Sequence, residues 1–208
     1  MTAVETHLLL VRHARADPKG RFLQHACDGL TVEGRRQASI LAARLRQEGP
    51  FNAVVMSRAA RAIETAEIVA AGMGVPLADP TCDLCEMHPG AAEGMTYEEM
   101  AVAFGPSYRD VPGAEYFPDW VATAGEALKR LAERFAGQRV VLVTHSAVIA
   151  ASLEVLGGTD HELVAASPAP TVTAITEWSC TRHGDNNRSP GVWSLIRHND
   201  AGHLLDGI

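Results

Sequence analysis

Two apolar runs that each stop on a histidine constrain this chain more than any other feature. Leu8-Leu9-Leu10-Val11 leads into Arg12-His13, and Val140-Val141-Leu142-Val143 leads through Thr144 into His145-Ser146. A short unbroken apolar run bounded by polar residues predicts a strand buried on both faces. Ligands of open α/β sheets bind beyond the carboxyl ends of such strands. Two strands of this kind therefore bring both imidazoles to one edge of one sheet.

The intervening pattern alternates helix and strand. Thr31 is a candidate N-cap for a helix with apolar residues at Ala38, Leu41, Ala42 and Leu45, broken by Gly49-Pro50. Ala53–Met56 reads as another short strand, followed by a helix from the Ser57 segment to about Ala71. Further helices are expected over 123–136 and 146–156, the second closed by Gly157-Gly158. Thr171–Trp178 and Val192–Ile196 read as a β-hairpin whose polar tip runs from Cys180 to Gly191. The expected fold is α/β: a three-layer α/β/α sandwich around a mostly parallel central sheet, with residues 1–208 as one domain. From 81 to 121 the periodicity gives way to clustered proline, glycine and aromatic residues. Long irregular connections inside compact domains are usually functional, so this stretch reads as an inserted lid over the carboxyl ends of the strands.

Several motifs now resemble one family. Arg12-His13-Ala14 looks like the R-H-G signature of the histidine phosphatase superfamily, the phosphoglycerate-mutase-like proteins, with alanine in place of glycine. Leu30-Thr31-x-x-Gly34-x-x-Gln37-Ala38 resembles an architectural segment of that family. Ser57-x-x-x-Arg61-Ala62-x-x-Thr65-Ala66 is similar to its arginine motif, Leu84-Cys85-Glu86 to its L-x-E, and Thr144-His145-Ser146 to its T-H-G with serine for glycine. The similarity extends to about Leu204. It implies that His13 is the nucleophile, Glu86 the proton donor, and Arg12, Arg61 and His145 the grip on the phosphoryl oxygens. Glu93 falls on an E-G pair and is assigned a structural role. Arg58 stands where many relatives have proline.

That assignment matches what phosphoryl transfer needs: a nucleophile in line with the leaving group, positive charge on the spectator oxygens, and a proton for the departing oxygen. A neutral imidazole is a competent nucleophile near neutral pH. An arginine in the first turn of a helix adds a guanidinium to the positive helix end. A protonated His145 would add charge where the transition state gathers it, and neither a metal nor a cofactor is required. Mutases of the family usually follow the R-H pair with other substrate-touching residues; here Ala14-Arg15-Ala16-Asp17 replaces them. Arg15 either adds positive charge at the mouth or pairs with an acid outside, and the replacement tips the balance from mutase towards phosphatase. Ser146 joins the expected substrate contacts. The first expectation is hydrolysis of a small phosphorylated metabolite, the second a phosphomutase, the third a phospho-ligand-binding regulatory module. The third is disfavoured, because binding alone needs no proton donor.

Composition narrows the partners. A net charge of −7 over 208 residues argues against nucleic-acid and anionic-membrane binding. It also means that a phosphate site must concentrate its arginines locally. No run approaches the roughly 18 apolar residues of a membrane span, and residues 1–5 lack a signal peptide's basic and apolar regions, so a cytoplasmic location is expected. The sequence leaves oligomeric state open, a homodimer included. The four cysteines are expected to be reduced thiols. A competing arrangement, Cys82-x-x-Cys85 with Cys180-x-x-His183, has the short spacings of zinc ligands, but its halves lie about a hundred residues apart.

Overall fold

In the computed structural model, which describes residues 3–17, 21–22, 29–183 and 191–205, the first apolar run lies in the middle of the sheet. β1 (Ala3–Arg12) pairs in parallel with β3 (Arg139–Thr144), and β3 in parallel with β2 (Ala53–Met56). On its other side β1 pairs antiparallel with β4 (Ile175–His183), which pairs antiparallel with the edge strand β5 (Val192–Asp200). The order is β2-β3-β1-β4-β5. The sheet is therefore mixed rather than mostly parallel, since two of its four ladders are antiparallel. The hairpin expected near the C-terminus causes part of this, because a hairpin makes antiparallel neighbours. Its first strand runs on through Cys180 to His183, shortening the expected tip, most of which (184–190) lies outside the described residues, as does Cys27.

The unbroken apolar runs are explained by helices on both faces. Leu9, Val11, Val54, Val141 and Val143 point to one side, against α1 (Val32–Gln47) and α2 (Ala60–Met73). Leu8, Leu10, Val55 and Leu142 point to the other, with Leu128 and Leu131 of α4 (Phe117–Arg134) and Ile149 of α5 (Ser146–Val155). Successive strand residues face opposite layers, so a strand covered twice must be apolar at every position. Each such side chain contributes about 1.5–3 kcal/mol on burial. That core holds the central strand ends rigid.

Between α2 and α4 the chain makes short 3₁₀ turns and one helix, α3 (Tyr97–Phe104), started by a capping box in which Thr96 and Glu99 exchange hydrogen bonds. This segment has a small core of its own, Ala92, Met100 and Val111, against which Phe22 packs. It ends earlier than residue 121, because α4 begins at Phe117. Pro118 sits in the first turn, where its missing N–H costs nothing. A further short helix, α6 (His161–Ala166), has Asp160 as N-cap; it is too short to show a period in sequence.

Candidate functional site

Three parallel strands end side by side, and each hands on a polar residue. The ladders continue one step past β1 and β2: the His13 N–H donates to the Thr144 carbonyl (2.9 Å) and the Ser57 N–H to the Val143 carbonyl (3.1 Å). His13, Ser57 and His145 therefore follow three adjacent strand ends with little freedom. The Ala14 N–H donates to Thr65 Oγ1 (3.1 Å), which itself donates to the Arg61 carbonyl (2.7 Å). This ties the loop after His13 to the first turns of α2. Ala14 replaces the expected glycine without strain, since it is fully buried and absent from the residues with positive φ.

Arg61 sits between the two imidazoles. Its Nε donates to His13 Nε2 (3.1 Å) and its Nη2 to His145 Nδ1 (3.2 Å), and the two rings lie 5.1 Å apart. The other nitrogen of each ring is also engaged: His13 Nδ1 donates to the Ala14 carbonyl (2.8 Å) and His145 Nε2 to Ser57 Oγ (2.7 Å). A guanidinium has no acceptor, so each ring must present a lone pair to Arg61 and both imidazoles are neutral in this arrangement. A protonated His145 would require Arg61 Nη2 to turn away from Nδ1, as an incoming anion would make it do. Arg12 Nη1 donates to the Pro170 carbonyl (2.6 Å), while its buried Nε has no partner among the described residues.

Glu86 closes the pocket from the segment after β2. Thr144 Oγ1 donates to the Leu84 carbonyl (2.8 Å), fastening that segment to the end of β3. Glu86 Oε2 accepts from Ser146 Oγ (3.3 Å) and from the Ala147 N–H (3.4 Å) at the start of α5, and Oε1 accepts from the Met87 N–H (3.1 Å). Burial nevertheless raises the Glu86 pKa above its ordinary value, against the opposing pull of those N–H groups, Arg61 and Ser146. Burial pushes His13 the other way, down to about 3, helped by the Arg61 and Arg12 charges and opposed by the Ala14 carbonyl. Burial thus acts on both groups in the direction of their uncharged forms.

Of the residues expected at the site, Arg12, His13, Arg61, Glu86 and Ser146 line one cavity, with His145 buried immediately behind Arg61. Arg15 also borders it, with an exposed side chain; its backbone is architectural. The Arg15 N–H donates to Gln37 Oε1 (3.1 Å) and its carbonyl accepts from the Thr31 N–H (3.0 Å). A Cβ on Gly34 would meet that carbonyl at 2.1 Å, which is why glycine stands there. Arg58 and Glu93 are exposed and do not line the cavity. The zinc arrangement does not assemble: Cys82 and Cys85 hold their sulfurs 2.9 Å apart in a thiol contact, and among the described residues no group of three metal-ligating side chains converges. Sequence reasoning missed Ser57 and Thr65, although both lie inside the arginine motif. No helix among the described residues is long and apolar enough to cross a membrane.

The doubly covered α/β sheet thus presents one imidazole, two guanidiniums and a buried carboxyl to one small cavity, with a second imidazole behind Arg61. The sequence model of the histidine phosphatase superfamily (branch 1) matches residues 8–189, and the chain belongs to that superfamily. Among curated proteins it is 31% identical over 154 residues to phosphoglycerate mutase-like protein 4 of Arabidopsis thaliana, covering 68% of this chain and 67% of that one. It is 32% identical over 158 residues to a metal-independent phosphoserine phosphatase of the same plant, covering 70% and 66%. The chain thus spans about two thirds of the length of these relatives. Among solved structures, Bacillus stearothermophilus YhfR superposes with a TM-score of 0.79 at 27% identity, over 96% of this chain and 99% of that one.

Proposed function

We propose that the chain is a metal-independent phosphatase that hydrolyses small phosphomonoesters through a phosphohistidine on His13. The superfamily membership and a phosphatase-named relative support a phosphoric monoester hydrolase. The observation that carries the mechanism is Arg61 bridging the His13 and His145 rings. A bound phosphoryl group competes for the same N–H donors and offers charged oxygens in place of neutral nitrogens, so it displaces both contacts with a gain. That exchange frees the His13 Nε2 lone pair at the moment phosphorus arrives. Arg12, Arg61 and His145 then hold the three spectator oxygens.

Nε2 bonds to phosphorus as the ester P–O bond breaks, and Glu86 passes its proton to the departing oxygen. The resulting carboxylate takes a proton from a water that attacks the phosphohistidine. Phosphate leaves, His13 is restored neutral, and Glu86 is protonated again. Residues 82–116 serve as the lid, since they supply Glu86 and carry a packed core of their own.

His13→Ala tests the reading. Loss of at least about 10³-fold in kcat is expected on a panel of phosphomonoesters, together with loss of the acid-labile phosphoenzyme trapped from wild type. A chelator should leave wild-type turnover unchanged. Full turnover by His13→Ala overturns the mechanism, and an isomerised ester in place of free phosphate would identify a mutase.

A further inference from the structure

A second cavity, of about 400 Å³, opens beside the catalytic one between α5, α6 and the start of α4. Its walls include Phe117, Ile149, Ala150, Leu153 and Val164; among the described residues no Asp, Glu, Lys or Arg borders it, though His161 and His198 do. The volume lies within the roughly 300–1,000 Å³ typical of small-molecule sites, which are likewise mostly apolar. Two joints connect it to the chemistry. Ser146 lines both cavities, and Ser146 and Ala147, which line this one, are the groups that hold Glu86 Oε2. Pro170, also on its wall, accepts the hydrogen bond from Arg12.

We infer that this cavity receives the leaving group, so that the preferred substrates are phosphomonoesters of apolar alcohols or phenols. The inference rests on the phosphatase reading and deepens it. In an in-line displacement the departing oxygen lies opposite the nucleophile and must reach the acid that protonates it. With His13 as nucleophile and Glu86 as acid, the leaving group lies on the Glu86 side, where Ser146 and Ala147 both hold the carboxyl and line the apolar cavity. A carboxylate or ammonium carried there would lose its hydration against walls whose His161 is already held by Glu154 (2.8 Å), at considerable cost. A hydrocarbon chain or ring would be released from water, and the Phe117 ring, 5.6 Å from the His161 ring, offers an aromatic face.

The test is a series of straight-chain alkyl monophosphates from two to eight carbons, with O-phosphoserine and glycerol 3-phosphate as polar comparators. In wild type, kcat/KM should climb about two- to fourfold per added methylene until the cavity is filled, with the polar comparators no better than ethyl phosphate. Ala150→Trp and Ala165→Trp narrow the cavity from two different helices. Each should flatten the climb while leaving ethyl phosphate within about twofold of wild type, which also reports that the variant is folded. Ethyl phosphate hydrolysed with no gain along the wild-type series, or a climb unchanged in both variants, overturns the subsite alone. Hydrolysis of no ester in the panel would overturn the phosphatase reading itself.

Discussion

Two regions of this molecule concentrate arginine, and they use it in opposite ways. At the carboxyl edge of β1 and β3, Arg61 donates to two neutral imidazoles and Arg12 to a peptide carbonyl. Where β4 and β5 meet α1, Arg44, Arg139 and Arg197 meet carboxylates instead: Glu48, Glu177 and Asp200. An arginine held by a carboxylate already has a charged partner and gains little from another anion. One held by neutral acceptors exchanges them for phosphate oxygens with a net gain. On the proposed reading the first arrangement is a binding site awaiting its anion, whereas the second ties strands to a helix by ion pairs.

After His13→Ala, the largest expected effect breaks the first region at its bridging arginine. Arg61→Ala should lower kcat by about 10²–10³-fold, the usual cost of removing one preorganised donor from a developing charge. Arg61→Lys should recover only a small part, because an ammonium cannot span both rings as a planar fork does. Steady-state kinetics on one phosphomonoester decides this, and a loss below tenfold for the alanine variant would remove Arg61 from the transition state.

Glu86→Gln sharpens the same comparison by separating binding from proton transfer. On substrates with poor leaving groups, kcat should fall about 10²-fold or more, and hardly at all on a good leaving group such as a nitrophenolate. The pH profile carries a sign. Burial holds the His13 pKa down to about 3, which keeps the ring a free base at higher pH, whereas Glu86 must keep its proton, and burial shifts it in that direction. Wild-type kcat on poor leaving groups should therefore decline as pH rises through the elevated Glu86 value, and that limb should vanish in Glu86→Gln. Stability moves the other way. A folded-state pKa raised above the unfolded one gives a contribution present at low pH and lost as pH rises. Glu86→Gln should thus raise Tm more at pH 8 than at pH 4.

Much of the first region was legible because unbroken apolar runs such as Leu8–Val11 and Val140–Val143 have few structural solutions, and the residue after each is fixed by chain continuity. Arg61 and Glu86 were singled out through the resemblance of their segments to the family's motifs. What the sequence concealed is how neighbours choose one another. Nothing in Ile175–Trp178 declares that it pairs antiparallel with β1, and α6 has only six residues in which to show a helical period. The start of α4 was hidden because Pro118 and the surrounding aromatics look like loop until the proline is seen to occupy the first helical turn. Ser57 and Thr65 looked incidental because their role is to hold His145 and the Ala14 N–H, contacts that cross 88 and 51 residues. The Cys82–Cys85 spacing misleads in the opposite direction, since short spacing brings two sulfurs together without supplying further ligands.

The smallest expected effect tests the second region. Arg197 donates to Glu48 Oε1 (2.9 Å) and Oε2 (2.5 Å) and to Asp200 Oδ2 (3.3 Å), and lies 2.9 Å from Glu177 Oε2. Replacing it by methionine keeps much of the stem's volume but leaves the buried Glu177 and the partly buried Glu48 and Asp200 with fewer partners. Exposed pairs are worth about 0–1 kcal/mol and breaking buried ones costs about 3–5 kcal/mol, so Arg197→Met should cost about 1–3 kcal/mol. For a chain of 208 residues that is a fall of about 2–10 °C in Tm. kcat/KM should stay within about twofold of wild type, because none of these groups borders either cavity discussed above apart from their strand neighbour His198. The deficit should also depend on pH in a definite direction. Arg44 and Arg197 hold the Asp200 carboxyl well below its ordinary pKa, so the network contributes fully above the unfolded carboxyl range and weakens as pH falls through the depressed value. Scanning calorimetry should then show the gap between wild type and Arg197→Met narrowing under acid. A gap that widens under acid, or a loss of turnover larger than the loss of stability explains, would mean that the two regions are coupled and that this one is more than a fastener.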